Sequence, residues 1–298
     1  MNDDSTRPLF RFAPSPNGRL HLGHAYSALL NAATAATVGG GFLLRIEDID
    51  QSRCKPEYEG AIIADLAWLG LTFAQAPRRQ SAHVADYARA LAMLEARGLV
   101  YPCFCTRGEI ARASAGACDP DGAPLYPGTC RLMSASARQA RLTGAENLAM
   151  RLDMARALAL APADLSWREY GEGTAEMRVQ ADPSLWGDFV LKRKEMAASY
   201  HLAVVVDDAA QGVSDVMRGN DLFQATAAHR LLQSLLEIAA PRYRHHRLVR
   251  DSIGEKMSKS ASSTTLEELR GNGVAAEEVR AALGFGGEPA GVLKATIS

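Results

Sequence analysis

Two histidines beside a glycine are the first residues in this chain whose types and spacing could do chemistry. His21, Gly23 and His24 end the stretch Arg-Phe-Ala-Pro-Ser-Pro-Asn-Gly-Arg-Leu-His-Leu-Gly-His, residues 11–24. Histidine rings can donate hydrogen bonds to negative charge that develops in a transition state, and Gly23 would let a nucleotide approach the backbone closely. The stretch therefore predicts a nucleotide-phosphate site. A Pro/Gly loop with two surface histidines is the alternative.

Two lysines near the C-terminus could supply a mobile positive charge. Lys256 and Lys259 lie in Gly-Glu-Lys-Met-Ser-Lys-Ser, residues 254–260, which is a small and polar segment. A lysine amino group on its flexible stem is a point charge that can be brought onto a polyphosphate. Alone, the segment is also typical of a solvated loop. Together with His21 and His24, it favours chemistry on a nucleotide.

Four of the five cysteines could hold a metal ion. Cys103, Cys105, Cys118 and Cys130 follow one another in or beside a segment rich in Gly, Ala, Asp and Pro, and Cys54 stands apart. The odd count and the Cys-x-Cys spacing indicate a metal site in a reducing, cytoplasmic compartment rather than a secreted disulfide framework. From spacing alone, these four would be the tetrahedral ligands of a structural zinc ion. Unmetallated thiols are the alternative.

The predicted elements bring the reactive groups to one edge of a sheet. A short strand leads into residues 11–24, a helix follows over about 25–38, and a second strand over 42–46 ends at Glu47. Two further helix patterns continue the alternation of strand and helix, which is typical of a parallel sheet with crossover helices. Acidic residues at the carboxyl end of a strand lie where such folds contact their ligands.

The second half of the chain is expected to add to the same sheet. Residues 199–208 form an almost continuous apolar run that ends in two acids, as in a strand buried on both faces. A long helix is predicted over 223–239, capped by Asn220 or Asp221. Tyr200 and Arg218 would lie at opposite ends of this unit, beside the ligand edge of the sheet.

The composition is that of an ordinary globular protein. The 298 residues carry a formal net charge of −1, so overall charge gives no support for binding nucleic acid. RNA contact would have to come from a local basic patch. A solvated charged turn is an equal alternative for the densest group of basic residues. This group is Arg242, Arg244, His245, His246, Arg247 and Arg250. No signal peptide is visible, and three glycines interrupt the uncharged stretch over 25–44.

The motifs together resemble a known enzyme family. His-Leu-Gly-His and Lys-Met-Ser-Lys-Ser are similar to the HIGH and KMSKS signatures of class I aminoacyl-tRNA synthetases, and residues 11–18 resemble the glutamyl branch. Cys-x-Cys followed by Tyr-Pro-Gly-Thr-Cys, residues 126–130, resembles the short paralogues called glutamyl-queuosine tRNA(Asp) synthetases. The resemblance covers residues 11–260.

The resemblance implies an α/β fold with a Rossmann-type parallel sheet, the core of a class I synthetase, split by a zinc-bearing insertion. We expect the core over 7–97 and 198–250 and the insertion over 98–197. The KMSKS loop and a short helical C-terminal tail would occupy 251–298. Fewer than forty residues follow Ser260, so no anticodon-binding domain is expected.

The resemblance also assigns roles to residues. The catalytic residues would be His21, His24 and Lys259. Glutamate would be bound by Arg11, Phe12, Ala13, Pro14, Ser15, Glu47, Tyr200 and Arg218. ATP would be bound by His21, Gly23, His24, Lys256 and Lys259. The zinc ligands would be Cys103, Cys105, Tyr126 and Cys130, with Cys118 as the competitor for the place of Tyr126.

The implied activity is ATP-dependent ligation. L-Glutamate would be activated to glutamyl-adenylate, with Mg²⁺ on the phosphates, and transferred to the queuosine base in the anticodon of tRNA(Asp). We expect a cytoplasmic monomer that holds one structural zinc ion and does not bind membranes. A minimal glutamyl-tRNA synthetase-like enzyme that charges another acceptor, and a non-catalytic paralogue, are the alternatives.

Overall fold

The computed structural model describes residues 7–144, 148–171, 175–250, 264–286 and 296–297. The strands are β1 (Leu9–Phe12), β2 (Gly41–Ile46), β3 (Arg78–Arg79), β4 (Val100–Cys103), β5 (Ala149–Leu152), β6 (Ser166–Tyr170), β7 (Glu176–Gln180), β8 (Val190–Lys192), β9 (Asp215–Gly219), β10 (Arg242–His246), β11 (Val249–Arg250) and β12 (Thr296–Ile297). The helices are α1 (Leu22–Thr37), α2 (Pro56–Trp68), α3 (Val84–Ala96), α4 (Arg107–Ala113), α5 (Ala135–Leu142), α6 (Met154–Leu160), α7 (Tyr200–Ala210), α8 (Ala225–Leu235), α9 (Leu266–Gly271) and α10 (Ala276–Ala282). None of the helices in these ranges is long and apolar enough to cross a membrane.

Seven strands form one sheet in the order β3-β2-β1-β9-β10-β6-β7. Neighbouring strands are parallel except for β6 and β7, which are antiparallel. The chain runs from β1 through α1 to β2 on one side, and from β9 through α8 to β10 on the other. The order of connection therefore reverses between β1 and β9, where open α/β sheets bind their ligands. The predicted parallel α/β core is confirmed.

Alternation along the central strands decides which side chains face each side of the sheet. Phe10 and Phe12 of β1 pack into the apolar cluster that contains residues of α1, α2, α9 and α10. Leu43 of β2 belongs to the second cluster, with α3, α7 and α8. Arg11 pairs with Leu43 in the sheet register, and Arg45 lies two residues further along. Both arginines therefore face α7, although they are charged and buried.

The apolar run over 199–208 is a helix, so the strand prediction was wrong. Ser199 caps α7, and its Oγ accepts a hydrogen bond from the backbone N–H of Leu202 at 3.5 Å. The run is buried on nearly all sides, and a short continuous apolar segment has no periodicity that separates a buried helix from a buried strand. The predicted caps of the next helix were also wrong. Asn220 and Asp221 lie in a 3₁₀ turn, and α8 begins at Ala225 without a side-chain cap.

The segment predicted as an insertion, 98–197, contributes to two sheets. Strands β4, β5 and β8 form a separate antiparallel sheet. Strands β6 and β7 instead extend the main sheet beyond β10. The structure therefore differs from the prediction of one segment set apart from the core.

The described part of the C-terminal tail is hydrogen-bonded to the chain beside His21, at the N-terminus of α1. The backbone N–H of Leu266 donates to the carbonyl of Leu20 at 2.9 Å, and Thr265 forms an isolated bridge with His21. Helices α9 and α10 pack into the same apolar cluster as α1. Lys256 and Lys259 lie outside the described residues, between Arg250 and this anchor point.

A buried carboxylate on α2 gives a prediction about stability. Asp65 is fully buried, its oxygens accept no hydrogen bond from the described residues, and Arg270 lies 3.5 Å away. Burial raises the pKa of Asp65 to about 6, which Arg270 only partly offsets. Native protein therefore binds more protons than unfolded protein between the usual carboxyl pKa and about 6, so the free energy of unfolding falls as pH rises through this window.

Asp65→Asn should remove that loss. We expect the variant to be more stable than the wild type above neutral pH by roughly 1–3 kcal/mol, and equally stable near pH 4, where the wild-type carboxyl is protonated. Thermal unfolding at both pH values measures the difference. A variant that is less stable than the wild type at high pH would mean that the ion pair with Arg270 outweighs the cost of burial.

Candidate active site

A cavity of about 610 Å³ lies at the carboxyl edge of β1, β2 and β9. Its walls contain all the predicted ligand residues that the structure describes outside the cysteine segment: Arg11, Phe12, Ala13, Pro14, Ser15, His21, Gly23, His24, Glu47, Tyr200 and Arg218. The turn after β1, the end of β2, the first residue of α7 and the end of β9 bring these residues together. Further lining residues, such as Asn17, His246 and Val249, were not predicted as ligands.

The two histidines lie at the N-terminus of α1, which begins three residues before the predicted start. His21 is the cap, and its Nδ1 accepts a hydrogen bond from the backbone N–H of Gly23 at 3.1 Å. His24 Nδ1 accepts from the backbone N–H of His21 at 3.2 Å. Each neutral ring therefore carries its proton on Nε2. A Cβ at position 23 would lie 2.9 Å from the His21 ring, so glycine is required for this folded-back cap.

Below the cavity, charges alternate along a buried chain of side chains. Asp208 Oδ1 accepts from Arg11 Nε at 3.0 Å and from Arg45 Nη1 at 2.7 Å. Arg45 also donates to Glu47 Oε1 at 3.4 Å. Burial alone would raise the pKa of Asp208, but the two guanidinium groups outweigh it and hold that pKa below its usual range. One carboxylate on α7 thus orients Arg11 directly and Glu47 through Arg45.

The pKa of Glu47 is shifted in the opposite direction from that of Asp208. Burial raises its pKa, and the charges of Arg45 and Arg11 only partly offset this effect. A cation placed beside Glu47 in the cavity would favour its ionised form. The site can therefore accept an ammonium group at Glu47.

Arg218 and Tyr200 form the opposite wall. The Arg218 Nη1 donates to Tyr200 Oη at 3.4 Å, and the guanidinium is buried among side chains of α8 and β10. A guanidinium stays charged at physiological pH, so Arg218, which lines the cavity, presents a positive charge to it. The cavity thus offers cations and an anion within one space, as a zwitterionic acid requires.

Three of the predicted metal ligands lie together away from this cavity. The Sγ atoms of Cys103, Cys105 and Cys130 are all within 4.8 Å of one another. Zinc–sulfur bonds at tetrahedral angles separate sulfur atoms by roughly 3.8 Å, so this cluster could hold a metal ion. Tyr126 Oη lies 3.6 Å from Cys105 Sγ and accepts the backbone N–H of Cys130 at 2.8 Å. Cys118 is exposed and bonds the carbonyl of Gly116 instead.

The basic residues of β10, over 242–246, do not form one surface patch. Arg242 pairs with Asp215 at 2.7 Å, and His245 Nδ1 lies 2.9 Å from Glu169 in the interior. His246 is buried beside the cavity. Alternation along β10 sends these side chains to opposite faces, so the candidate patch is not continuous over these residues.

Comparisons with known proteins agree with this architecture. Residues 9–294 match the family model described as "tRNA synthetases class I (E and Q), catalytic domain". The chain is 43% identical over 284 residues to "Glutamyl-Q tRNA(Asp) synthetase" of Rhodobacter capsulatus, covering 92% of this chain and 99% of the relative. It is 40% identical to the protein of the same name from Nitratidesulfovibrio vulgaris, covering 90% of this chain and 83% of the relative.

A solved structure shows the same fold in a longer protein. The glutamate-tRNA synthetase of Elizabethkingia anophelis superposes with a TM-score of 0.75 at 24% sequence identity. The match covers 93% of this chain and 61% of that protein. The chain therefore spans about three fifths of the length of that enzyme.

Proposed function

Because this chain belongs to the class I tRNA synthetases of the E and Q group, we propose that it activates L-glutamate with ATP and transfers it to queuosine in the anticodon of tRNA(Asp). One observation supports the activation step: the residues predicted to bind glutamate and both histidines line the same cavity. The acceptor rests on relatives whose printed name is glutamyl-Q tRNA(Asp) synthetase, one of which the match covers almost end to end.

The reaction needs positioning and electrostatics rather than a protein nucleophile. The α-carboxylate of glutamate attacks the α-phosphorus of ATP, the bond to the β-phosphate breaks, and pyrophosphate leaves. His21 and His24, at the N-terminal end of α1, would donate hydrogen bonds to the charge on the transferring phosphorus. Mg²⁺ accompanies ATP as part of the substrate.

Glutamate is proposed to lie between the two walls of the cavity. Arg11 and Arg218 provide the cations for its carboxylates, Glu47 provides the anion for its ammonium group, and Tyr200 contributes a hydroxyl. Phe12, Ala13, Pro14 and Ser15 also line the cavity and would contact the substrate. The pairing of opposite charges makes a zwitterion with an additional carboxylate the best match for these groups.

Lys256 and Lys259 are proposed to reach the ATP phosphates from the segment over 251–263. Described residues on either side of that segment lie at the cavity or contact a residue that lines it. Val249 lines the cavity, and Thr265 bridges to His21. Lys256 and Lys259 lie between these two anchors in the sequence, and a lysine ammonium group is suited to binding a phosphate.

The sulfur cluster is proposed to bind one structural zinc ion. Cys103, Cys105 and Cys130 would supply three ligands, and Tyr126, which contacts the cluster, would supply the fourth. Arg151 stacks on the Tyr126 ring with its guanidinium carbon 3.9 Å from the ring centre, which fixes the ring beside the sulfurs. Cys118 is left out because it is exposed and bonded elsewhere.

Zinc content tests this assignment. We expect gently purified protein to contain about one zinc per chain, Cys103→Ser to contain much less, and Cys118→Ser to keep the wild-type content. Elemental analysis gives all three numbers. No zinc in the wild type, or equal loss from both variants, would contradict the ligand set.

Amino-acid-dependent exchange of pyrophosphate with ATP tests the activation step. We expect exchange with L-glutamate and none with L-glutamine or L-aspartate at the same concentration, because neither provides the same carboxylates at the same spacing. A non-catalytic paralogue would show no exchange with any amino acid. Exchange that requires tRNA would still be consistent with the proposal, so the assay is run with and without total tRNA.

A further inference from the structure

Arg218 is a buried cation whose protein partners are all neutral. Its side chain is 6% exposed. Its hydrogen-bond acceptors are His245 Nε2 at 3.1 Å, His229 Nδ1 at 3.1 Å, Tyr200 Oη at 3.4 Å, Thr226 Oγ1 at 2.8 Å and the carbonyl of Leu222 at 3.1 Å. The Tyr243 ring lies 5.5 Å from its guanidinium carbon. Each of the five N–H donors of the guanidinium thus has a neutral acceptor, and the positive charge is not neutralised.

The contrast with the other arginine of the cavity is sharp. Arg11 forms an ion pair with Asp208 at 3.0 Å, whereas no carboxylate among the described residues lies within ion-pair distance of Arg218. Glu169 reaches Arg218 only through the His245 ring, whose Nδ1 lies 2.9 Å from Glu169 Oε2. A buried charge without a counter-ion is costly unless a ligand completes it. The positive charge of Arg218 is therefore available to a substrate carboxylate.

Two histidines fix this arrangement through their tautomers. An arginine side chain can only donate, so His229 Nδ1 must accept, and the His229 proton lies on Nε2. That nitrogen is 3.2 Å from His201 Nδ1, which must accept in turn, so His201 carries its proton on Nε2 as well. Burial lowers the pKa of His229 far below its usual range and that of His201 to about 3. Both rings therefore stay neutral at physiological pH.

We propose that His229, held by His201, is a positioning residue that orients Arg218 while leaving its charge uncompensated, and that it thereby sets the requirement for an anionic carboxylate in the substrate. This inference rests on the proposed function, since it assigns Arg218 to glutamate. His229 itself does not line the cavity. His229 acts through the Arg218 guanidinium, and it orients that group because His229 Nδ1 is a neutral hydrogen-bond acceptor.

A pair of equal-sized substitutions separates charge from packing. In His229→Asn, the side-chain oxygen replaces Nδ1 as a neutral acceptor. In His229→Asp, a carboxylate oxygen takes the same position, carries a negative charge and forms an ion pair with Arg218. We expect the KM for glutamate of His229→Asn to stay within about threefold of the wild type, and that of His229→Asp to rise at least about tenfold. The KM for ATP should be unchanged in both variants.

The outcomes are distinct. A purely structural role for His229 would change both variants alike, so equal KM values for glutamate would overturn the inference. If either variant does not fold, ¹⁵N spectra of the wild-type histidines decide: the inference requires the Nε2–H tautomer at both His229 and His201, and an Nδ1–H tautomer at His229 refutes it. A wild type without glutamate-dependent exchange would refute the proposed function, whereas wild-type exchange with equal KM values in both variants would overturn this inference alone.

Discussion

Replacing Lys259 by alanine is expected to slow glutamyl-adenylate formation by about 100- to 1000-fold, which corresponds to roughly 3–4 kcal/mol of lost transition-state stabilisation. The amino group is proposed to meet charge on the phosphates that is largest as pyrophosphate leaves. The rate constant from single-turnover adenylate formation measures the loss directly. The KM for glutamate should change little, because the residues proposed to bind glutamate lie on other elements.

Lys55→Ala is the matched control for this experiment. Lys55 also carries one positive charge, but its amino group is exposed and lies 3.7 Å from Glu57. We expect wild-type rates and unchanged thermal unfolding in this control. If Lys259→Ala forms adenylate at the wild-type rate while folding normally, the role assigned to that lysine is wrong.

The second large effect is expected at Asp208, which lies beneath the cavity. Asp208→Asn leaves the charges of Arg11 and Arg45 without their shared partner in a buried environment. Removing one partner of a buried ion pair typically costs roughly 3–5 kcal/mol, so we expect the free energy of unfolding to fall by that amount. The KM for glutamate should also rise, because Arg11 and, through Arg45, Glu47 lose their orientation.

Asp164→Asn provides the comparison. Asp164 pairs with Arg178 at 2.9 Å, but both side chains are exposed, and such pairs typically contribute less than about 1 kcal/mol. Denaturant unfolding of both variants measures the difference. A loss of stability in Asp208→Asn as small as in Asp164→Asn would show that the two buried arginines are satisfied without Asp208.

The local parts of the site could be predicted from the sequence. A strand, a Pro/Gly turn and a helix around His21 follow from short-range patterns, as does the strand that ends at Glu47. The convergence of those residues follows from parallel-sheet geometry, because the carboxyl ends of parallel strands meet at one edge. The start of α1 differed by three residues because a histidine cap has no common sequence signature.

The long-range parts could not be predicted from residue patterns. The ion pairs of Asp208 join residues 163 and 197 positions away, and no local pattern marks such a pairing. The acids at 207 and 208 looked like the end of a strand, whereas they are buried in a helix. His229 gave no signal, and His245 was noted only as part of a basic cluster, because an acceptor for a buried arginine has no required spacing.

The insertion shows the same limit. The cysteine spacing indicated a metal site, and three of the sulfurs do lie together, but spacing alone would have added Cys118. The placement of β6 and β7 in the main sheet depends on pairing with β10, which is more than sixty residues further along the chain. Such pairings are decided by tertiary packing rather than by local propensity.

The central claim is that glutamate is transferred to queuosine, and one comparison tests it most directly. Labelled glutamate and ATP are incubated with the protein and either tRNA(Asp) that contains queuosine or tRNA(Asp) that lacks it, and the labelled tRNA is digested to nucleosides. We predict label on the queuosine nucleoside from the first tRNA and none on the second. Label on the terminal adenosine of both tRNAs would contradict the proposal and make the protein a minimal glutamyl-tRNA synthetase.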